Sequence, residues 1–85
     1  MSELDQKITG RQIAAARVLI GMNQPELAKA AHISVPTLKR MEASEGHASG
    51  LLNNALAVRR ALEAAGVIFV DENGQGPGVR LRKAK

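Results

Sequence analysis

The sequence predicts a small, mainly α-helical domain in which four helices precede a short C-terminal β-hairpin. Apolar residues recur at helical spacing in four stretches, and residues suited to helix N-caps stand before the first three of them. After Gly66 the pattern changes to β-branched and aromatic residues, a glycine-rich turn, and then alternating apolar and basic residues, which is typical of two strands. The 85 residues are too few for more than one domain.

The first two helices are expected at about residues 9–20 and 24–31. Thr9 and Asn23 are suited to be their N-caps, and Pro25 falls in a first turn, where its missing N–H is harmless. The residues that recur at helical spacing, and that we therefore expect to be buried, are Ile13, Ala16, Ile20, Leu27, Ala28 and Ala31.

The third and fourth helices are expected at about residues 35–43 and 51–65, with Ser34 as the N-cap of the third and Gly66 ending the fourth. The apolar stripe of the fourth helix consists of Leu51, Ala55, Val58, Leu62 and Ala65. A hairpin follows over about residues 67–82. Because an isolated hairpin is marginal in water, we expect it to pack on the helices or to pair with a second copy of itself.

The composition limits the classes of function. The chain has 12 basic and 8 acidic residues, a net charge of +4 and no cysteine, and Phe69 is its only Phe, Tyr or Trp. The lack of cysteine excludes disulfides and thiolate metal sites. A chain so poor in aromatic residues is unsuited to holding single-stranded nucleic acid by base stacking. Its basic balance therefore favours duplex DNA, which is bound through grooves and phosphates.

Several other classes are excluded by what the sequence lacks. No apolar run approaches the roughly 20 residues of a membrane span, and Glu3 and Asp5 stand where a signal peptide is apolar, so we expect a cytoplasmic protein without a membrane partner. His32 and His47 have no further ligand at metal-binding spacing, so we expect surface histidines and no metal. No catalytic constellation is present at workable spacing, and we expect neither enzymatic activity nor a cofactor.

The second and third helices form a pair joined by a short turn at residues 32–34. In a helix-turn-helix of this kind, the second helix enters the DNA major groove and its N-terminal part meets the base edges. The side chains expected to contact bases are Val35, Pro36, Thr37, Lys39 and Arg40. The side chains expected to contact phosphates are Gln24, Ser34, Asn53 and Asn54.

Some of these polar and basic residues have a second explanation as ordinary solvated surface. Asn53 and Asn54 are equally well explained in that way, whereas the position of Lys39 and Arg40 on the outer side of the third helix favours DNA contact. On the fourth helix, the basic residues Arg59 and Arg60 point away from the helix pair, and we interpret them as surface. For the C-terminal basic residues the sequence leaves open a phosphate-binding tail or a solvated strand face: Arg80, Arg82, Lys83 and Lys85.

The run GMNQPELAKAAHISVPTLKRMEASEG, residues 21–46, resembles the helix-turn-helix of the Cro and lambda-type phage repressors, the xenobiotic-response-element family of bacterial regulators. The matching elements are the Asn-Gln opening at residues 23–24, Glu-Leu-Ala at 26–28, Ile-Ser at 33–34, and Glu42. The resemblance, which covers about residues 9–65, implies a lambda-repressor-like fold, phosphate contact by residue 24 and base contacts by the third helix. His32 stands where this family often has glycine, so we expect a positive φ there.

Two charged residues fall on apolar faces. Arg17 shares the stripe of Ile13 and Ala16 on the first helix, and Glu42 shares the stripe of Leu38 on the third. A charge on each of two apolar faces is best explained if the two meet, so we expect a partly buried structural ion pair between Arg17 and Glu42. The family resemblance implies the same pair.

We therefore expect a transcriptional regulator that binds a duplex DNA operator as a homodimer, because specific affinity normally needs two half-sites about 34 Å apart. Leu56 and the strand at residues 79–82 are the candidate dimer contacts. The alternative is a protein-interaction module, such as an antitoxin or antiactivator, in which DNA binding is secondary or absent and the C-terminal strand adds to a partner's sheet.

Overall fold

The computed structural model describes residues 8–44, 52–71, 74 and 76–82. The helices and strands within these residues are α1 (Gly10–Leu19), α2 (Gln24–Ala31), α3 (Val35–Glu42), α4 (Leu52–Ala64), β1 (Val67–Val70) and β2 (Gly78–Leu81). The two strands pair in an antiparallel sheet. The mainly helical fold class with a C-terminal hairpin is thus confirmed, and each helix boundary lies within one residue of its expected position.

The small differences in boundary come from the caps. Thr9, which we expect to be an N-cap, is the N-cap of α1, and Ile20 and Ala43, which the expected ranges include, are the C-caps of α1 and α3. Ala65, expected on the apolar stripe of the fourth helix, is exposed because it lies in the turn beyond α4. Leu51, the other end of that stripe, lies outside the described residues.

Side chains hold the helix starts in place. Thr9 Oγ1 accepts a hydrogen bond from Gln12 N at 3.0 Å, and Gln12 Oε1 accepts one from Thr9 N at 2.8 Å. These reciprocal bonds satisfy N–H groups that have no partner in the first turn of a helix. The Thr-x-x-Gln spacing is the sequence signal for this capping box.

The helices and strands pack around one hydrophobic core. The α2 helix packs on α3 and α4, α1 packs on α3, α4 and β2, and β1 packs on α4. The largest fully buried side chains are Ile8, Ile13, Leu27, Leu38, Met41, Val58, Leu62 and Val67. A Cβ atom on Gly10 would collide with the main-chain oxygen of Met41, so glycine permits the close approach of α1 to the end of α3.

Gln12 attaches the hairpin to α1. Its side-chain Nε2 donates to the main-chain oxygens of Val70 and Gly78, at 3.2 and 3.0 Å, and the residue is 6% exposed. At the other end of the hairpin, the guanidinium of Arg82 donates to the main-chain oxygen of Glu63 at 2.7 Å. The hairpin therefore packs on the helices, which is the first of the two outcomes expected for it.

Candidate nucleic-acid interface

The α2 and α3 helices are joined by a reversal of the chain at His32. This residue has φ 59° and ψ 43°, in the left-handed region, which is the positive φ that the family resemblance implies at this position. Ile33 N donates to Ala28 O at 2.9 Å, so main-chain groups left unpaired at the end of α2 are satisfied within the turn. The turn sets the direction in which α3 leaves α2.

Capping also sets where each helix of the pair begins. Asn23 Oδ1 accepts from Glu26 N and Glu26 Oε1 accepts from Asn23 N, both at 2.8 Å. At the start of α3, Ser34 Oγ accepts from Thr37 N at 3.2 Å and lies 2.8 Å from Thr37 Oγ1, within hydrogen-bonding distance. The Ser34 hydroxyl is exposed, but it already serves two partners of its own helix.

The residues of α3 divide between core and surface. Leu38 and Met41 are fully buried, which orients the helix, and the opposite side carries Pro36, Lys39 and Arg40 in exposed positions. The two remaining base-contact candidates are only half-buried: Val35 packs partly against the core, and the hydroxyl of Thr37 bonds to its cap. The exposed candidates are thus one proline and two cations.

Arg17 and Glu42 form the expected ion pair. Arg17 Nε lies 2.9 Å from Glu42 Oε2 and Nη2 lies 3.1 Å from Oε1, while Nη1 donates to Met22 O at 3.2 Å. Gln24 Nε2 adds a third bond to the carboxylate, at 3.0 Å from Oε1. The side chain of Glu42 is 7% exposed, so these bonds satisfy a buried charge and connect α1, α2 and α3.

The bond to Glu42 bears on the expected role of Gln24. An amide nitrogen carries two hydrogens, so one bond to the carboxylate leaves a second hydrogen, on a residue that is half-exposed at the first position of α2. The bond also holds the amide in one orientation. The sequence did not predict this contact, because residues 24 and 42 are distant in the chain.

Of the two phosphate contacts expected from α4, the structure describes the side chain of Asn54. Asn54 is half-buried in the first turns of α4, and the side chain of Asn53 lies outside the described residues, as do His47, Lys83 and Lys85. Arg59 pairs with Glu63, with Nε 3.0 Å from Oε2, and its guanidinium lies 5.2 Å from the centre of the Phe69 ring. The side chain of Arg59 is only 13% exposed, so this arginine is partly buried against the protein's own residues and is not the solvated surface residue that we expect from the sequence.

The described residues provide no cluster of three or more His, Cys, Asp or Glu side chains that could hold a metal ion. None of the described helices is long and apolar enough to cross a membrane.

In comparisons with known proteins, the chain matches no protein-family model and no curated protein by sequence. The family resemblance of residues 21–46 therefore stays a prediction from those residues. The candidate interface consists of the helix pair α2 and α3, with its exposed cations Lys39 and Arg40 and the flanking groups of Gln24 and Ser34.

Proposed function

We propose that the chain is a transcriptional regulator of the Cro and lambda-repressor type, which binds duplex DNA sequence-specifically through α3. The observation that carries this proposal is the outer face of α3, where Lys39 and Arg40 are exposed while Leu38 and Met41 on the opposite side are fully buried. An α-helix with such a face fits the major groove, where each base pair presents a distinct set of hydrogen-bonding groups.

In the proposed complex, Arg40 supplies direct base recognition. A guanidinium donates two parallel hydrogen bonds to O6 and N7 of guanine, the commonest specific contact in protein–DNA complexes. Lys39 is one residue away on the helix and reaches guanine or the neighbouring phosphate. Pro36 and the methyl group of Thr37 are suited to contact the methyl group of thymine.

Phosphate contacts would fix the register of the helix pair on the duplex. In the first turn of α2, Pro25 has no N–H and the N–H of Glu26 bonds to Asn23, so the donors left for a phosphate are the main-chain N–H and the second amide hydrogen of Gln24. Ser34 and Asn54 are further candidates, although the Ser34 hydroxyl must then share its cap bonds with the phosphate. These contacts hold α3 in place without themselves reading sequence.

We infer that the operator is bound by a homodimer. One α3 helix offers few base contacts, so specific affinity requires two half-sites, whose centres lie about 34 Å apart for a two-fold symmetric protein. Leu56, a half-buried residue of α4, stays a candidate for the dimer contact. The proposal therefore predicts a pseudo-palindromic operator.

The decisive experiment is to select bound duplexes from a random pool with the full chain and to measure their affinity by fluorescence anisotropy. Arg40→Ala should weaken binding to the selected operator by about 1–3 kcal/mol and leave binding to unrelated duplex nearly unchanged. The matched control is Arg60→Ala, which removes an exposed arginine from α4 and should preserve the specificity ratio.

The alternative, a protein-interaction module such as an antitoxin or antiactivator, predicts a different result. The selection would then yield no preferred sequence, and Arg40→Ala would not alter any residual binding beyond the effect of one lost charge. The first result would exclude sequence-specific recognition by α3, and the second would exclude Arg40 as the residue that recognises a base.

A further inference from the structure

The outer edge of β2 presents main-chain groups that no described strand pairs. Arg82 N donates to Gly66 O at 2.6 Å, and the register pairs Leu81 with Val67 and Val79 with Phe69. Hydrogen-bonded and non-hydrogen-bonded pairs alternate along an antiparallel ladder. The N–H and C=O groups of Val79 and Leu81 therefore point away from β1, and β1 is the only strand that pairs with β2 in the described residues.

A groove runs beside this edge. It is an open groove of about 330 Å³ between β2 and the first turns of α1, and its lining includes Ala15, Pro77 and Val79. Apolar surface continues beyond it, because Val18 lies one turn after Ala15 on α1 and is 69% exposed. Leu81, two residues after Val79 on β2, is 49% exposed. An apolar side chain laid along the edge would find apolar neighbours.

Basic side chains flank the same edge. Successive side chains of a strand point to opposite faces, so Arg80 lies on the face away from the core, and it is exposed. Arg82 follows on the same face and is exposed as well, with one nitrogen bonded to Glu63 O. Arg11 contributes a further positive charge to the groove lining. A strand added here would meet the apolar groups and Arg11 of the groove on one face and Arg80 and Arg82 on the other.

We propose that the outer edge of β2 binds an extended acidic peptide segment of a partner protein, as an added antiparallel strand. Its apolar residues lie opposite Val79 and Leu81, and an Asp or Glu between them lies opposite Arg80. This site and the exposed face of α3 belong to different elements of the fold. The exposed groups of α3 are on a helix that packs on α1 and α2, whereas the hairpin packs on α1 and α4.

The charges disfavour a second copy of this chain at the edge. When two β2 strands pair antiparallel through Val79 and Leu81, Arg80 lies directly opposite or diagonal to an arginine of the other copy in every register, and such like-charge neighbours are destabilising. Pro77 adds to this protection because it has no N–H to offer at the next outward position. DNA phosphates would account for the arginines, but they do not match an edge that alternates N–H donors with C=O acceptors.

The test uses the full chain and the fluorescein-labelled peptide GEVEVEG. Its controls are GEEEVVG, of the same composition without alternation, and GKVKVKG, of opposite charge. We expect GEVEVEG to bind and to change the amide chemical shifts of Val79 and Leu81 in NMR spectra. Each control peptide should bind at least about tenfold more weakly.

Two variants test whether the charge of Arg80 and the outward N–H of Leu81 bind the peptide. Arg80→Glu should weaken GEVEVEG binding about tenfold and strengthen GKVKVKG binding, while Arg60→Glu, an equal charge change on α4, should do neither. Leu81→Pro removes an outward N–H and should weaken binding several-fold more than Leu81→Ala, which retains it. If Leu81→Pro fails to fold, Arg80→Glu still tests the proposal, because it should shift the preference from GEVEVEG to GKVKVKG.

Three results would overturn the proposal. The first is equal binding of GEVEVEG and GEEEVVG. The second is a dimer, detected by sedimentation, that Arg80→Glu or Leu81→Pro converts to a monomer, because the edge would then hold a second copy. The third is a loss of duplex DNA affinity in Arg80→Glu with peptide binding unchanged, because Arg80 would then serve phosphates.

Discussion

Arg17 on α1 and Glu42 at the end of α3 meet through two parallel hydrogen bonds, Nε to Oε2 at 2.9 Å and Nη2 to Oε1 at 3.1 Å. The side chain of Glu42 is 7% exposed and nearly buried, and the side chain of Arg17 is 19% exposed and partly buried. The pair therefore sets the position of α3, the helix with the exposed cations, relative to α1. Gln24, the first residue of α2, bonds to the same carboxylate, so the position of α2 relative to α1 and α3 depends on Glu42 as well.

Arg17→Ala should destabilise the protein strongly, because it leaves the buried Glu42 carboxylate with only the bond from Gln24. Removing one member of a buried pair typically costs about 3–5 kcal/mol, and partial exposure of the arginine puts the expected loss near the lower value. Urea unfolding measures it. The double variant Arg17→Met/Glu42→Leu should recover much of the loss, since it removes both charges. An Arg17→Ala unfolding curve that overlays the wild type would show that the pair contributes nothing.

Gln12→Glu should loosen the hairpin while keeping the cap of α1. A carboxylate still accepts the bond from Thr9 N, but it has no hydrogen for the oxygens of Val70 and Gly78. We expect a loss of about 1–3 kcal/mol at neutral pH and faster hydrogen exchange in β1 and β2. Glu26→Gln, at the same position of the exposed α2 cap, is the control and should cost under about 1 kcal/mol. Unaltered exchange in the hairpin would contradict the role given to Gln12.

Gly10→Ala tests the close approach of α1 to α3. Helix propensity alone favours alanine by about 1 kcal/mol. A Cβ here would nevertheless collide with main-chain oxygens of Met41, Glu42 and Ser44, and the backbone can yield little. We expect a net destabilisation of about 1–3 kcal/mol in thermal or urea unfolding. A stabilised variant would mean that propensity outweighs the contact.

Lys39→Ala should weaken binding to specific and unrelated duplexes by a similar factor, if Lys39 contacts a phosphate. The slope of log affinity against log salt should then fall in magnitude by about 1, because one fewer counterion is released. Anisotropy titrations at several salt concentrations measure this slope. Lys29→Ala, which removes an exposed lysine from the last turn of α2, is the matched control. A loss confined to the selected operator would instead assign Lys39 to a base.

Local features of the sequence determined the elements and their caps. Thr9, Asn23 and Ser34 are all N-caps, as their residue types and positions predict. These features depend on residues within three or four positions of each other, so they are readable without knowledge of the fold. The Arg17 and Glu42 pair was also predictable, because a charge on an apolar stripe requires a partner.

Tertiary structure decided the contacts between residues that are distant in the chain. Gln12 occurs in a helix at a position that the sequence does not mark as buried, and only the docking of the hairpin brings Val70 and Gly78 to its amide. Gln24 likewise finds Glu42 only because α2 and α3 pack together. The physical reason is that periodicity predicts which face of an element is buried, whereas the polar atoms that meet depend on how the elements dock. The net charge of +4 and the apolar stripes were sequence properties; the separation of an α3 face with two cations from a β2 edge flanked by arginines is a property of the packed chain.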